Sequence, residues 1–125
     1  MRIFRIEHPD TGKGPFTHFS ENGVDGYGRF MRYMKEPNEF KHSKPYHYGV
    51  HYFGFSGEEY LLAATQDRWK LHDVGFRVVV LEVGDEHCIE YPDGQVAFIR
   101  KHATSMACYT FNQLIDLTYK RVWLS

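Results

Sequence analysis

Residues 5–16 read RIEHPDTGKGPF and place charged side chains beside a glycine-rich loop. Glycines let a backbone approach a ligand closely, and the ammonium group of Lys13 can meet an anion. The loop matches neither the Walker A motif Gly-x-x-x-x-Gly-Lys-Ser/Thr nor the dinucleotide-binding motif Gly-x-Gly-x-x-Gly. Pro15 also removes a backbone donor that a phosphate-binding loop would use. We therefore predict the rim of a ligand- or partner-binding cleft, in which Arg5 and His8, rather than Lys13, make the defining contacts.

The spacing of histidine and cysteine does not predict a metal site. His47 and His51 are four residues apart, but the surrounding proline, glycine and tyrosines favour a strand, which would separate them by about 13 Å. Cys88 and Cys108 form neither a Cys-x-x-Cys motif nor a disulfide framework. Their apolar neighbours predict that both thiols act as small hydrophobic side chains.

Ser56 follows a predicted strand, where a nucleophile could be presented. Its surroundings, Gly54-Phe55-Ser56-Gly57, lack the Gly-x-Ser-x-Gly elbow that exposes a catalytic serine. The pattern Ser-x-x-Glu instead matches a capping box, and we predict that Ser56 caps a helix.

Glu82 lies in the most apolar predicted strand, and a buried carboxylate needs a partner. Arg5 and Arg77 are the candidates because both lie in predicted strands. We expect a structural ion pair at a sheet end rather than a catalytic carboxylate. If Arg5 is buried against Glu82, the glycine-rich loop is only a turn.

The composition predicts one domain spanning residues 1–125. The formal net charge of −1 gives no general attraction to nucleic acid or acidic lipid. No signal peptide or membrane-spanning run is recognisable, so a soluble intracellular protein is expected. Aromatic residues make up 17% of the chain, enough to build surfaces for planar ligands or proteins in addition to a core.

Hydrophobic periodicity and turn residues predict an α+β domain with a mixed, mostly antiparallel sheet and two or three helices. In the predicted strand of residues 1–7, Ile3 faces one side and Phe4 and Ile6 face the other. The strand in residues 76–83 is apolar on both faces, as in a central strand. Pro92-Asp93-Gly94 is a turn signal between two short strands. Gly75 is predicted to end the second helix, and Thr110 with Gln113 matches a second capping box. The predicted strands are residues 1–7, 45–55, 76–83, 87–91 and 95–99, and the predicted helices are residues 27–35, 56–72 and 110–119.

Four segments resemble a family of small bacteriophage proteins. They are the Arg-Ile-Glu-His and Gly-x-Gly-Pro-aromatic run of residues 5–16, the Phe-Gly-Phe-Ser helix start of 53–56, the Gly-Phe-Arg-Val-Val-Val strand of 75–80 and the Gln-Val-Ala-Phe strand of 95–98. The resemblance covers both ends of the domain but leaves residues 20–45 and 103–125 largely unmatched. It implies a location in the cytoplasm of an infected bacterial host.

The order of elements is also distantly similar to compact ADP-ribosyltransferase-like folds. That resemblance implies that Arg5, Tyr52 or Phe53, Ser56 and Gln95 line one cleft, with NAD as the cofactor. Such transferases carry glutamate at the position matched by Gln95, and glutamine is a poor general base. The resemblance therefore implies either an active enzyme or a catalytically inactive relative.

Three functions remain open from the sequence. The preferred one is a phage accessory protein that binds and inhibits or sequesters a host component, which would be a defence protein or a nucleotide signal. The others are an NAD-using mono-ADP-ribosyltransferase-like enzyme and a structural or assembly protein of the virion. The predicted ligand- or partner-binding residues are Arg5, His8, Lys13, Tyr52, Ser56 and Gln95.

Overall fold

A computed structural model of the protein describes residues 1–15, 34 and 51–124, with side chains up to residue 120. The described residues form six strands and three α-helices. In chain order these are β1 (Arg2–Glu7), β2 (His51–Phe55), α1 (Glu58–Ala63), α2 (Arg68–Asp73), β3 (Arg77–Glu82), β4 (Cys88–Glu90), β5 (Gln95–Ile99), β6 (Thr104–Tyr109) and α3 (Phe111–Leu124). Two short 3₁₀ turns, Asp85–His87 and Arg100–His102, precede β4 and β6.

The six strands form one sheet in the order β4-β5-β2-β1-β3-β6, and every neighbouring pair is antiparallel. β1 lies between β2 and β3, so the N-terminal segment is internal to the sheet. The α+β prediction is confirmed.

The two faces of the sheet carry different clusters because side chains alternate along each strand. One face packs against all three helices through Phe4, Ile6, Val78, Val80, Leu61, Leu71, Phe111 and Leu114. The opposite face carries a second apolar cluster of Ile3, Leu81, Val83, Val96 and Phe98. β3 contributes to both clusters, as its uninterrupted apolar run predicted.

Local sequence signals fix several turns and helix ends. Gly94 has a φ of +87° in the turn between β4 and β5, and Gly75 has a φ of +102° after α2. The amides of Gly75 and Phe76 donate to the carbonyls of His72 and Leu71, which is a Schellman ending. Thr110 and Gln113 exchange backbone-to-side-chain hydrogen bonds at the start of α3. These three predictions are confirmed.

The predicted helix over residues 56–72 is wrong in its start and its continuity. Gly57 is the N-cap of α1, and no side-chain hydrogen bond caps the helix. Ser56 lies one position before the cap, and its hydroxyl donates to the Gly94 carbonyl oxygen at 3.4 Å. The helix breaks after Ala63. A new helix begins where the Asp67 carboxylate accepts from the Lys70 amide at 3.1 Å.

Two further expectations need correction, and one strand was not predicted. Glu82 is half-exposed and accepts from the Met1 amino group, whereas Arg77 donates to backbone carbonyls. Cys108 is exposed rather than buried, and both cysteines are free. β6 was not predicted, because its sequence TSMACY shows neither alternation nor a run of branched apolar residues.

The predicted helix at residues 27–35 lies outside the described residues except for Met34. That side chain is buried in the helix-side cluster, and its backbone forms an isolated bridge with Thr65. Residues 45–50 of the predicted second strand also lie outside. None of the helices in the described part of the chain is long and apolar enough to cross a membrane.

Gly94→Ala is expected to lower the free energy of unfolding by about 2 kcal/mol, because alanine is strained at positive φ and its Cβ would overlap the Tyr60 ring. Gly12→Ala is the matched control. Gly12 has a φ of +70° with nothing within 4 Å of a Cβ, so only the backbone cost of about 1 kcal/mol is expected. Urea denaturation measures both. Equal losses would show that Tyr60 packing does not constrain this turn.

Candidate functional site

A buried carboxylate shared by two arginines stands on the sheet face opposite the helices. Arg5 Nε donates to Glu7 Oε1 at 3.0 Å, and Arg100 donates to both oxygens of Glu7 at 3.0 and 3.2 Å. Ile3, Arg5 and Glu7 alternate along β1, so the cluster continues directly from the apolar cluster around Ile3. Two guanidinium groups share one carboxylate, and the cluster keeps a net positive charge.

Arg5 is 7% exposed, and its guanidinium group has a second acceptor besides Glu7. Its Nη1 donates to the Phe53 carbonyl oxygen at 2.6 Å, which links β1 to β2 beneath the side chains. Burial lowers the pKa of the Arg5 guanidinium, while the adjacent Glu7 carboxylate opposes that shift. Arginine nonetheless stays charged because its intrinsic pKa is so high.

Tyr52 connects the buried cluster to the surface. The Arg5 Cζ atom lies 5.0 Å from the centre of the Tyr52 ring, within cation–π range. The same ring is tilted against Phe98, with 6.4 Å between the ring centres. Tyr52 is 39% exposed, so its ring contacts solvent as well as the buried Arg5 guanidinium.

The turn that supplies Arg100 adds polar groups to this surface. Lys101 and His102 are exposed, and the His102 ring stacks on His87 with 3.9 Å between ring centres. Arg100 itself keeps 29% of its side chain exposed. We call Tyr52 together with the turn Arg100–His102 the tyrosine–arginine surface.

Hydrogen bonds within its own backbone hold the glycine-rich loop in shape. The His8 amide donates to the Lys13 carbonyl at 2.9 Å, and the amides of Thr11 and Gly12 both donate to His8 O. A Cβ at Gly14 would lie 3.1 Å from Arg5 Nη2, so glycine here lets the loop pass close to the guanidinium. The loop is therefore a tight turn that covers Arg5, although the partner of Arg5 is Glu7 and not Glu82.

His8 lies on the helix side of the sheet, away from Arg5. Its ring meets the edge of Phe76 at 5.7 Å, and a Cβ at Gly75 would lie 2.6 Å from its Nε2. The side chain is packed on the turn between α2 and β3.

Ser56 and Gln95 both lie at the turn between β4 and β5. Gln95 Nε2 donates to Asp93 Oδ2 at 2.9 Å, and Gln95 is opposite Phe55, which packs against the helix-side cluster. Arg5 faces the other side of the sheet with Tyr52. The structure thus brings Arg5 and Tyr52 together and leaves Arg5, Ser56 and Gln95 without a common cleft.

Glu7 and Arg100 were not among the predicted site residues. Residues two positions apart on a strand lie on the same face, so Arg5 and Glu7 could have been paired from the sequence. Ile3, two positions earlier, indicates that this face is apolar. The role of Arg100 could not be predicted from the sequence, because 93 positions separate it from Glu7.

Two other features bear on chemistry. A separate groove of about 160 Å³ between α2 and α3 contains Trp69, which is 67% exposed. Within residues 1–15, 34 and 51–124, no group of three or more histidine, cysteine, aspartate or glutamate side chains could hold a metal ion.

Fold and site together define a small α+β protein whose antiparallel sheet carries a buried arginine–glutamate–arginine cluster under an exposed tyrosine. Residues 1–112 match the family model described as bacteriophage T4 Y00F protein. The chain belongs to that family, which confirms the resemblance to small phage proteins. No curated protein and no solved structure gave a match. The likeness to ADP-ribosyltransferases therefore has no support from these comparisons.

Proposed function

We propose that this phage protein is an accessory protein that binds a host protein through the tyrosine–arginine surface, and so inhibits or sequesters it. One observation carries the proposal. The exposed Tyr52 ring is held by the buried Arg5 guanidinium beside the partly exposed Arg100, at a cluster with net positive charge.

Tyrosine and arginine are the residue types that most often carry binding energy at protein interfaces. A ring already fixed in the unbound protein loses little conformational freedom when a partner covers it. The positive cluster favours an acidic patch on that partner, because complementary charges speed association and exclude wrong partners. Arg5 is then a positioning residue that acts through Tyr52.

The remaining predicted residues define the extent of the surface. Lys13 belongs to the loop that covers Arg5 and is proposed as an outer contact. His8, Ser56 and Gln95 have packing or turn contacts elsewhere on the domain. Partner binding by alanine variants at these positions distinguishes a compact surface around Tyr52 from a larger surface that reaches the β4–β5 turn.

The test is capture of host proteins from a cell lysate by the tagged wild-type chain and by two variants. Tyr52→Ala is expected to lose at least about tenfold of one captured protein, in line with removal of an interface hot spot. Gln95→Ala, on the opposite face, is the matched control and should retain it. Urea denaturation establishes that both variants stay folded. A captured set that does not depend on Tyr52 would contradict the proposal.

Thermal denaturation with NAD or a cyclic nucleotide separates a protein partner from a small ligand. A ligand at a hundredfold excess over its dissociation constant stabilises the protein by about 2.7 kcal/mol. We expect no shift for the wild-type chain. A nucleotide-dependent shift abolished by Tyr52→Ala would assign the surface to a nucleotide signal instead.

A further inference from the structure

Strand β6 forms one end of the sheet, and β3 is its neighbour among the described strands. Sheet edges are normally protected by charged residues, proline or short length. The sequence TSMACY contains no charge and no proline, and four of its six side chains are exposed. The opposite edge, β4, has three residues and ends in Glu90. Among the strands that the structure describes, β6 is therefore the less protected edge.

An irregularity between Val80 and Leu81 leaves Met106 outside the regular pairing of β6 with β3. Such a bulge bends one part of an edge away from further pairing. Residues 107–109 remain in register with residues 78–80, so the strand keeps a regular stretch next to the start of α3. Cys108 lies at the centre of this stretch and is exposed.

A groove of about 280 Å³ runs beside the same edge. It is lined by Tyr109 of β6 and by Gln113, Asp116, Leu117 and Lys120 of α3. The four helix positions follow helical spacing and form one side of α3. The groove therefore lies between the sheet edge and one side of α3. On that side of the helix, Leu117 lies between the acidic Asp116 and the basic Lys120.

We propose that β6 and this flank of α3 bind a second copy of the chain, with the two β6 strands paired antiparallel about a two-fold axis. An antiparallel edge is self-complementary, because a two-fold axis matches each donor on one copy with an acceptor on the other. The absence of charge in β6 avoids like charges opposite each other in the new pair.

The charges on α3 support a second copy as the occupant. The same two-fold axis places the α3 helices side by side and antiparallel, so that Asp116 of each copy faces Lys120 of the other. Both side chains are exposed in the single chain, and Leu117 lies between them along the helix. This interface uses the edge of β6 and the adjacent side of α3, and it does not depend on the tyrosine–arginine surface.

The test is sedimentation equilibrium of charge-reversal variants. The wild-type chain is expected to form a dimer. Asp116→Lys alone, or Lys120→Asp alone, places like charges across the axis and is expected to weaken self-association by about tenfold or more. An equimolar mixture of the two variants pairs opposite charges at every position and should restore a heterodimer. Both substitutions lie on the surface, so folding is expected to be unaffected.

A second readout uses the cysteine at the centre of the edge. Paired antiparallel strands bring facing Cα atoms to about 4.5–5.5 Å, within the range that a disulfide can bridge. Mild oxidation of a Cys88→Ser variant should cross-link chains through Cys108, and Cys108→Ser should not cross-link. A wild-type chain that sediments as a monomer, or a variant mixture that stays monomeric, would overturn the proposal.

Discussion

Glu7→Gln is expected to lower the free energy of unfolding by about 3–5 kcal/mol, the cost of removing one partner from a buried ion pair. The side chain of Glu7 is 4% exposed and accepts from both Arg5 and Arg100. Glutamine keeps the shape but removes the charge, and two guanidinium groups are then left facing each other. Urea denaturation of the purified variant gives the change directly.

Glu82→Gln is the matched control, since Glu82 is also a strand glutamate paired with a cation. Its side chain is 50% exposed, and its partner is the Met1 amino group. Exposed ion pairs contribute about 0–1 kcal/mol, so a change below about 1 kcal/mol is expected. Similar losses in the two variants would show that burial of the Glu7 cluster has no special energetic role.

Replacing the whole cluster separates the stability of the domain from its proposed binding, since the replacement also removes Arg100 from the tyrosine–arginine surface. A chain carrying Arg5→Met, Glu7→Leu and Arg100→Met buries no charge at this place, and most of the stability lost in Glu7→Gln should return. The Tyr52 ring would then lack the cation that holds it from below. If the proposed function is right, this variant stays folded and loses the host protein that the wild-type chain captures.

The sequence predicted the elements whose signals are local. The turn at Gly94, the Schellman ending at Gly75 and the cap at Thr110 depend on residues only a few positions apart. β1 was predicted with its two faces correctly assigned, because Ile3 and Phe4 alternate between the two apolar clusters. In each case the short-range preference and the tertiary contacts agree.

Errors occurred where a distant residue took over a local role. Ser56 lies one position before the N-cap of α1, where its amide and its hydroxyl both donate to the carbonyl oxygen of Gly94, 38 positions away. Glu7 lies buried on the face of Ile3, where Arg100, 93 positions away, supplies a partner across the sheet. Arg5 and Tyr52 do lie together on adjacent strands, but the sequence grouped them through the likeness to ADP-ribosyltransferases and not through strand alternation.

The second prediction concerns Gly54, where β2 packs closely beside β1 in the sheet. Gly54 lies where a Cβ would overlap the Cγ2 atom of Ile3 and approach the Phe4 carbonyl oxygen at 3.0 Å. Both neighbours belong to the interior of the sheet, and Ile3 is fully buried. Gly54→Ala is therefore expected to cost about 1–3 kcal/mol through overpacking. Gly84→Ala is the control, because its Cβ would meet only the flexible carboxylate of Glu86 at an ordinary φ of −60°.

A double-mutant cycle with Ile3→Ala identifies the contact that makes Gly54 necessary. Ile3→Ala alone should cost about 2–5 kcal/mol because it leaves a cavity between the strands. The same substitution removes the atom that a Cβ at position 54 would overlap, so the added methyl partly fills the space. The double variant should then lose less than the sum of the single losses, by about 1 kcal/mol, when both are measured by urea denaturation. Strict additivity would instead assign the requirement for glycine to the Phe4 backbone, which no side-chain substitution can relieve.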